Sequence, residues 1–280
     1  MGKVDLHIHS TASDGRLSPE AVVLKAAELG LTTIALADHD SVNGIAPALV
    51  AAKAFPQLRV IPSIELSTDV THGEAHILGY FIDYTSHKLQ ANLVRLRNSR
   101  RERAQGIIAR LEKLGIHIEW QRVQERADSG TIGRPHIAQA MLEKGYITSL
   151  KEAFTKYISQ GGPAYVEREK MTPVEAVALI LRANGLPVLA HPFTLNDPEK
   201  VIIELKAAGM VGIETYYGDY SADKVSRLVS LADRHNLIAT GGSDYHGLDA
   251  GNETMIGGVD VPTESVERLI ALAELKLTNP

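Results

Sequence analysis

The chain has no cysteine among its 280 residues. Disulfides and thiolate metal sites are therefore excluded, and any metal must be held by histidine, aspartate or glutamate. Long apolar runs are lacking too: charges such as Arg182 interrupt them, so no membrane span is expected. Residues 1–9 carry Lys3 and Asp5 and no apolar stretch, so no secretory signal is expected and the cytoplasm is the expected location. Asn252-Glu253-Thr254, formally a glycosylation sequon, then reads as an ordinary surface turn. Positive charge is not in excess. A net charge of −5 argues against non-specific coating of nucleic acid and leaves room for a local basic patch that holds a phosphorylated ligand. Internal repeats, low-complexity tracts and flexible linkers are also absent.

What is present suffices for a full core: 44% hydrophobic and 22% charged residues, in a length that fits one barrel-sized domain or two smaller ones. Apolar strands are expected over residues 3–9, 33–38, 59–64, 75–82, 187–190, 211–215 and 238–242. Helices separate most of them. Ser18-Pro19 opens one that Gly30 closes, Thr172-Pro173 opens another that Gly185 ends, and further helices are expected near 46–55, 199–208, 221–235 and 263–277. Strands alternating with helices point to a parallel α/β architecture. Between about Tyr84 and Lys170 the rhythm stops, and helices are expected throughout (89–114, 119–127, 135–144 and 150–159). This stretch reads as an inserted helical cap, residues 84–170, on a barrel made of 1–83 and 171–280. Its first helix carries Arg95, Arg97, Arg100, Arg101 and Arg103, which read either as a solvated face balanced by Glu102 and Glu112 or as a surface for phosphate.

Nearly every strand finishes in His, Asp or Glu: His9, His39, Glu65, His191, Asp244, His246. In βα barrels functional groups come from the strand C-terminal ends. His7 and His9 are two apart on a strand and share a face, as a pair of metal ligands would, although an isolated His-x-His is commoner as solvated strand residues. Asp244-x-His246 repeats the spacing on a strand that would neighbour the first in a closed barrel. Gly241 and Gly242, just before it, allow a close backbone path or simply form a loop. Glu65 follows an apolar strand, where a buried carboxylate needs a cation or a salt bridge. His76 and His191 could each be core histidines, and Asp14 a plain turn residue.

Asp5-Leu6-His7-Ile8-His9-Ser10, Ser13-Asp14-Gly15, Ala37-Asp38-His39-Asp40, Glu65, Ala190-His191-Pro192 and Gly242-Ser243-Asp244-Tyr245-His246 resemble the successive motifs of the PHP (polymerase and histidinol phosphatase) phosphoesterases. The resemblance implies a distorted (β/α)7 barrel with a trinuclear metal centre at its mouth. It implies that His7, His9, Glu65 and Asp244 hold one metal, that Asp14, His39 and His246 hold a second, and that Glu65, His76 and His191 hold a third. Some family members have histidine in place of Asp14, so the second site here is harder. Asp40, His191 and Asp244 are the expected catalytic residues, with Asp38 and Asp40 suited to orienting imidazoles or donating a proton. Two or three divalent ions are expected, and manganese, zinc or iron would suit these ligands.

Gly133-Arg134-Pro135-His136 in the cap resembles the subgroup that acts on nucleotides, namely 3',5'-nucleotide bisphosphate phosphatases and relatives that trim short RNA from the 5' end. It implies that Arg134 and His136 contact a substrate phosphate; on its own the motif could equally be a helix-capping turn. The expected substrate is a nucleotide with two phosphates such as 3'-phosphoadenosine 5'-phosphate, or a short oligoribonucleotide, with no membrane and no stable protein partner implied. Histidinol-phosphate hydrolysis and a non-catalytic metal-binding module are the alternatives. Tyr216 and Tyr217 are read as pocket-lining or rim residues. His72, His87, His117 and His235 are expected to bind no metal.

Overall fold

The structure, a computed structural model, describes residues 3–70, 73–127, 130–168, 171–248 and 253–278. His72 and Asn252 lie outside the described residues. Seven strands form one sheet in chain order: β1 (Lys3–Ile8), β2 (Leu31–Leu36), β3 (Arg59–Val70), β4 (Gly73–Tyr80), β5 (Leu186–Leu189), β6 (Gly212–Tyr217) and β7 (Ile238–Gly242). The first and last strands meet. Ile8 bridges Tyr245 in parallel, His9 N donates to Tyr245 O at 2.9 Å and Asp244 N to His7 O at 2.8 Å, which nearly closes the sheet into a barrel.

One strand departs from the parallel expectation: β4 runs antiparallel to both β3 and β5. No helix separates β3 from β4, and strands joined by a short connection must pair antiparallel, whereas parallel neighbours need a long crossover. The pairing also lengthens β3 to Val70, beyond the expected end at Glu65. Because β4 runs the other way, residues early in it lie level with the C-terminal ends of the others.

The barrel helices are α1 (Pro19–Glu28), α2 (Ile45–Ala52), α7 (Pro173–Arg182), α8 (Pro198–Ala207), α9 (Ala222–Arg234) and α10 (Thr263–Thr278). Their starts follow from the capping residues: Ser18 Oγ accepts from Ala21 N, and Thr172 and Glu175 form a reciprocal capping box behind Pro173. Ile8, Ile34 and Leu36 pack against Val22, Val23, Ala26 and Ala48 of α1 and α2. On the other side Ile64, Ile77, Leu189 and Ile213 pack with Val177, Ile180, Ile202 and Leu228 of α7 to α9.

Between β4 and α7 lie α3 (His87–Lys113), α4 (Trp120–Ala127), α5 (Arg134–Glu143) and α6 (Leu150–Ala153), the last continued by a π-turn over Phe154–Ile158. The two halves of α3 belong to different cores. Leu89, Leu93 and Leu96 join the barrel cluster, whereas Ala104, Ile107 and Leu111 pack with Val123, Ile137, Met141 and Ile158 in a cluster built only from residues between β4 and α7. Among the described residues no helix is long and apolar enough to cross a membrane.

Candidate metal centre

The strand ends at the barrel mouth deliver the predicted residues to one place. β1 brings His7 and His9, the turn after it Asp14, the turn after β2 His39, β3 Glu65, β4 His76, the turn after β5 His191 and the turn after β7 Asp244 and His246. His76 reaches the mouth because β4 is antiparallel. Three residues beside the strand ends occupy the left-handed region: Asp40 (φ 48°), His191 (φ 26°) and Asp244 (φ 54°). Such conformations cost on the order of 1–3 kcal/mol each for residues with side chains and persist where the surroundings over-determine them. Gly242 shows why no side chain fits there: a Cβ on it would lie 2.4 Å from His7 N and 2.5 Å from His7 Cβ.

Three groupings of ligand atoms result, each within 4.8 Å: His7, His9, Glu65 and Asp244; His9, Asp14, His39 and His246; and His39, Glu65 and His76. Glu65 is the hub. Its Oε2 lies 2.9 Å from His39 Nδ1, 3.3 Å from His9 Nε2 and 3.5 Å from His7 Nε2, and its Oε1 lies 2.9 Å from His76 Nδ1 and 3.2 Å from His191 Nε2. The groupings differ from the expected sets in two respects. His9 spans the first two, with Nε2 3.0 Å from Asp244 Oδ1 and Nδ1 3.9 Å from Asp14 Oδ1. His39 accompanies Glu65 and His76 in the third, while His191 reaches that group through Glu65.

The donor set fits divalent cations. His7 Nε2 and His9 Nε2 converge to 3.2 Å. His9 Nδ1, Asp14 Oδ1, His39 Nδ1 and Glu65 Oε2 are buried and make no hydrogen bond. Each such group forfeits about 1–3 kcal/mol unless something satisfies it, and a cation shared between them would do so. Electrostatics agrees. Burial, with His246 beside it, pushes His9 down to about 3, so it is the neutral, ligating form. Burial opposes the ionised form of Glu65 and Asp244, yet the surrounding imidazoles hold both carboxyls well below their usual range. His39 is raised to about 9 because Glu65 and Asp14 outweigh burial. His7 is likewise raised by Asp244, Glu214 and Glu65 against burial.

Behind the ligands stand residues to which the sequence assigns no clear role. Glu214 is fully buried; its Oε1 lies 3.0 Å from His7 Nδ1 and its Oε2 accepts from His191 N at 2.8 Å. A carboxylate in the middle of the apolar strand 211–215 is the signal that could have found it, the same one that marked Glu65. Tyr217 Oη donates to Asp244 Oδ2 at 2.9 Å, so it is part of the site rather than its rim. Asp5 accepts from Ser243 N at 2.9 Å and Gly257 N at 2.8 Å, tying the two ends of the barrel together.

The hydrogen bonds of Asp38 and Asp40 go to backbone, hydroxyl and guanidinium groups rather than to imidazoles. Asp38 accepts from Ser10 N at 2.8 Å, Ser10 Oγ at 2.7 Å and Ser13 Oγ at 2.7 Å, shaping the loop that carries Asp14. Asp40 accepts from Arg100 Nε at 2.6 Å and Ser67 N at 3.1 Å. Burial would raise its pKa, but Arg100 and Arg168 keep the carboxyl below its ordinary value, which favours the ionised form. The physical reason is the packing of α3 onto the barrel, which seats a guanidinium on the carboxylate.

Arg134 and His136 also divide. Arg134 stands at the mouth, its Nη2 2.7 Å from Glu74 Oε2, which is itself 4.0 Å from His76 Nε2. His136 Nδ1 accepts from Gly133 N at 3.0 Å, so this ring caps its own helix; it also borders a cavity of about 340 Å³ shared with Asp14, Arg16, Arg126 and Gln139. Of the other described histidines, His87, His117 and His235 belong to none of the groupings.

Comparison with known proteins agrees with this geometry. The PHP domain family model matches residues 5–167. The chain is 34% identical to a 3',5'-nucleoside bisphosphate phosphatase of Chromobacterium violaceum, over 94% of this chain and 93% of the relative. It is 36% identical to the 5'-3' exoribonuclease Rnm of Escherichia coli, over 86% and 84%. Among solved structures, a Chromobacterium violaceum amidohydrolase with bound sulfate and no metal superposes with a TM-score of 0.86 at 33% identity, covering 95% of this chain and 97% of that one. With the seven-stranded barrel, the His/Asp/Glu groupings at its mouth and relatives matched along nearly their whole length, the chain belongs to the PHP family of metal-dependent phosphoesterases.

Proposed function

We propose that the protein hydrolyses a phosphate ester of a nucleotide carrying two phosphates, such as 3'-phosphoadenosine 5'-phosphate, releasing inorganic phosphate. The observation that carries this is the overlap of three ligand groupings, Glu65 shared by the first and third and His9 by the first two, with Arg134 beside them at the mouth. His7, His9, Glu65 and Asp244 would hold one cation, His9, Asp14, His39 and His246 a second, and Glu65 with His76, His39 and His191 a third. Bound divalent ions at such a centre neutralise phosphate oxygens and lower the pKa of water. Nitrogen and carboxylate donors together admit manganese, zinc or iron better than magnesium.

The chain's own residues supply orientation and charge. Glu214 keeps the His7 ring turned toward the centre, and Tyr217 fixes Asp244 by its hydroxyl. Burial and Asp244 push the Tyr217 pKa up, so the phenol stays protonated and serves as a donor. His191 and Asp244 both border the reacting position, and Arg134 offers a planar fork to a phosphate oxygen at the mouth. Residues 84–170 act in this reading as a cap that sets substrate size, and the enzyme works in the cytoplasm without an obligatory protein partner.

Short oligoribonucleotide 5' ends are a second reading, favoured by one observation. The cavity beside Asp14 has Arg16 for a backbone phosphate and Leu142, Leu150 and Leu248 for a base, while its second arginine, Arg126, is paired with Glu143 of the same lining. Phosphate release from a panel of phosphorylated metabolites, with manganese added, tests the main reading. Turnover of the bisphosphate nucleotide is expected; turnover of histidinol phosphate with no nucleotide turned over would overturn it.

A further inference from the structure

On the side of the mouth formed by β5 and β6, a chain of aromatic rings leads away from the ligand groupings. It starts at Tyr217, whose hydroxyl donates to Asp244 and whose ring meets that of His191 edge-on, with centroids 5.9 Å apart. Tyr220 follows at 5.0 Å from Tyr217, and Phe193 at 5.3 Å from Tyr220, with Phe193 N donating to Tyr220 Oη at 3.0 Å. The rings come from the end of β6 and from the turns after β5 and β6, so they tie two strand ends together. All three are half-buried. Tyr217 and Tyr220 also line a cavity of about 460 Å³ with Tyr216, Val225 and Asp260, a size in the range of small-ligand sites.

Two cations from α9 complete the arrangement. Lys224 Nζ lies 5.8 Å from the Phe193 ring centroid and 5.4 Å from that of Tyr220, and Arg227 Cζ lies 5.3 Å from that of Phe193. Arg234 on the same helix pairs with Glu199 at 2.6 Å, but neither Lys224 nor Arg227 has a carboxylate within ion-pair distance among the described residues. Both side chains are exposed. Phe193 and Tyr220 pack partly on the barrel core, which accounts for their buried faces. Packing leaves unexplained the uncovered faces and the unpaired cations over them, and a cation over an exposed ring is a weak contact, readily given up for a phosphate.

Such a set has the two parts of a single-strand nucleic-acid site: π-faces on which bases stack whatever their identity, and cations for the backbone between them. Carboxylates sort the two parts. Asp219 stands two residues after Tyr217, and Asp260 lines the cavity, so a phosphate is repelled from the tyrosines toward Lys224 and Arg227, whereas an uncharged base is not. The cavity beside Asp14 belongs to another flank: Asp14 groups with His39 and His246, while Tyr217 meets Asp244 and His191. We infer that Phe193, Tyr217 and Tyr220, with Lys224 and Arg227, form a stacking subsite for the RNA chain that continues beyond the scissile phosphate. The inference rests on the oligoribonucleotide reading and deepens it. One nucleotide occupies the Asp14 flank, the phosphodiester lies over the ligand groupings, and the next base stacks on the rings while its phosphate draws Lys224 and Arg227 aside.

The test uses a 5'-phosphorylated adenylate hexamer with a 3' fluorescent label and, as a probe of charge alone, an abasic oligomer with the same number of phosphates. Binding to the full chain, with chelator added to stop turnover, is followed by fluorescence anisotropy in wild type, in Phe193→Leu and in a double variant, Lys224→Gln with Arg227→Gln. Phe193→Leu is expected to weaken hexamer binding about fivefold or more, the worth of one stacked base, and to leave abasic binding within twofold of wild type. The double variant is expected to weaken both. Hexamer affinity within twofold of wild type in Phe193→Leu overturns the subsite, and so does an equal loss for both oligomers, which marks a polyanion surface without stacking. If Phe193→Leu fails to fold, the surface double variant decides, and unchanged hexamer affinity in it overturns the subsite. Turnover with manganese separates the two claims: the ratio of kcat/KM for the hexamer to that for adenosine 3',5'-bisphosphate is expected to fall with the binding. If wild type cleaves no hexamer, the oligoribonucleotide reading fails, and the subsite stands or falls on the binding comparison.

Discussion

Glu214 Oε1 lies 3.0 Å from Nδ1 of His7, on the side of the ring that faces away from Glu65 and Asp244. The same carboxylate accepts the His191 amide at 2.8 Å, so one buried group holds two histidines of the mouth, from different strand ends.

The first prediction follows from that arrangement. Partners on the far nitrogen of a ligating imidazole fix its tautomer and raise its basicity, and losing one typically weakens metal affinity by roughly 10–100-fold. Glu214→Gln keeps the volume and an acceptor for one contact but removes the charge. Activity measured against manganese concentration should require roughly 10–100-fold more metal for half-saturation, with much of the maximal rate recovered at high metal. An unchanged metal requirement would show that Glu214 only packs.

A second prediction concerns pH. His39 has an ordinary pKa of 6.5 and about 9 in the folded protein, since Glu65 and Asp14 outweigh burial. A raised folded value stabilises the metal-free fold below about pH 6.5, and that contribution is lost as pH rises through about 9. Cations must displace this proton, so metal binding strengthens across the same window. The difference in thermal midpoint between manganese-loaded and chelator-treated protein should therefore widen from pH 6.5 to 9. A difference that narrows as pH rises in that range would contradict the assignment.

Asp40 provides a third. It is fully buried and shared by Arg100 and Arg168. Asp40→Asn leaves two buried guanidinium groups short of a counter-charge, a kind of loss that costs about 3–5 kcal/mol. Urea unfolding should report a loss of that order, while the basic limb of the activity profile keeps its position. A proton donor would behave oppositely: the fold would survive and that limb would move.

These positions differ in how far they could be read beforehand. Candidate ligands such as His9, Glu65 and His191 stood out because polar residues ended apolar strands, a pattern that depends on local spacing alone. Ser18-Pro19 and Thr172-Pro173 announced their helices for the same reason. The direction of β4 was hidden: strand periodicity is the same in either sense, and only the missing crossover helix signalled it. Arg100 and Arg103 looked like part of a solvated helix face, and Arg95 and Arg101 on that helix are indeed exposed. What buries the others is the segment around Arg168 and the pairing with Asp40, contacts that span 60 and 128 residues and leave no periodic trace.

The last prediction tests how tightly the opening strand is held. Gly242 lies on β7 directly against β1, and a Cβ there would stand 2.4 Å from His7 N and 2.5 Å from His7 Cβ, distances at which backbone must move. Gly241 leaves no more room, since its Cβ would come 2.3 Å from Tyr216 O. Gly242→Ala should therefore push β1 away from β7, at a cost of about 1–3 kcal/mol for overpacking. The displacement acts on His7 and on Asp244, whose amide donates to His7 O at 2.8 Å, so it separates two residues of one ligand grouping. Metal content per chain should fall along with activity, and added manganese should restore little of either, in contrast to Glu214→Gln, where the ligands keep their spacing. Full metal content in Gly242→Ala would mean that β1 and β7 part without disturbing the centre, which the shared backbone contact argues against.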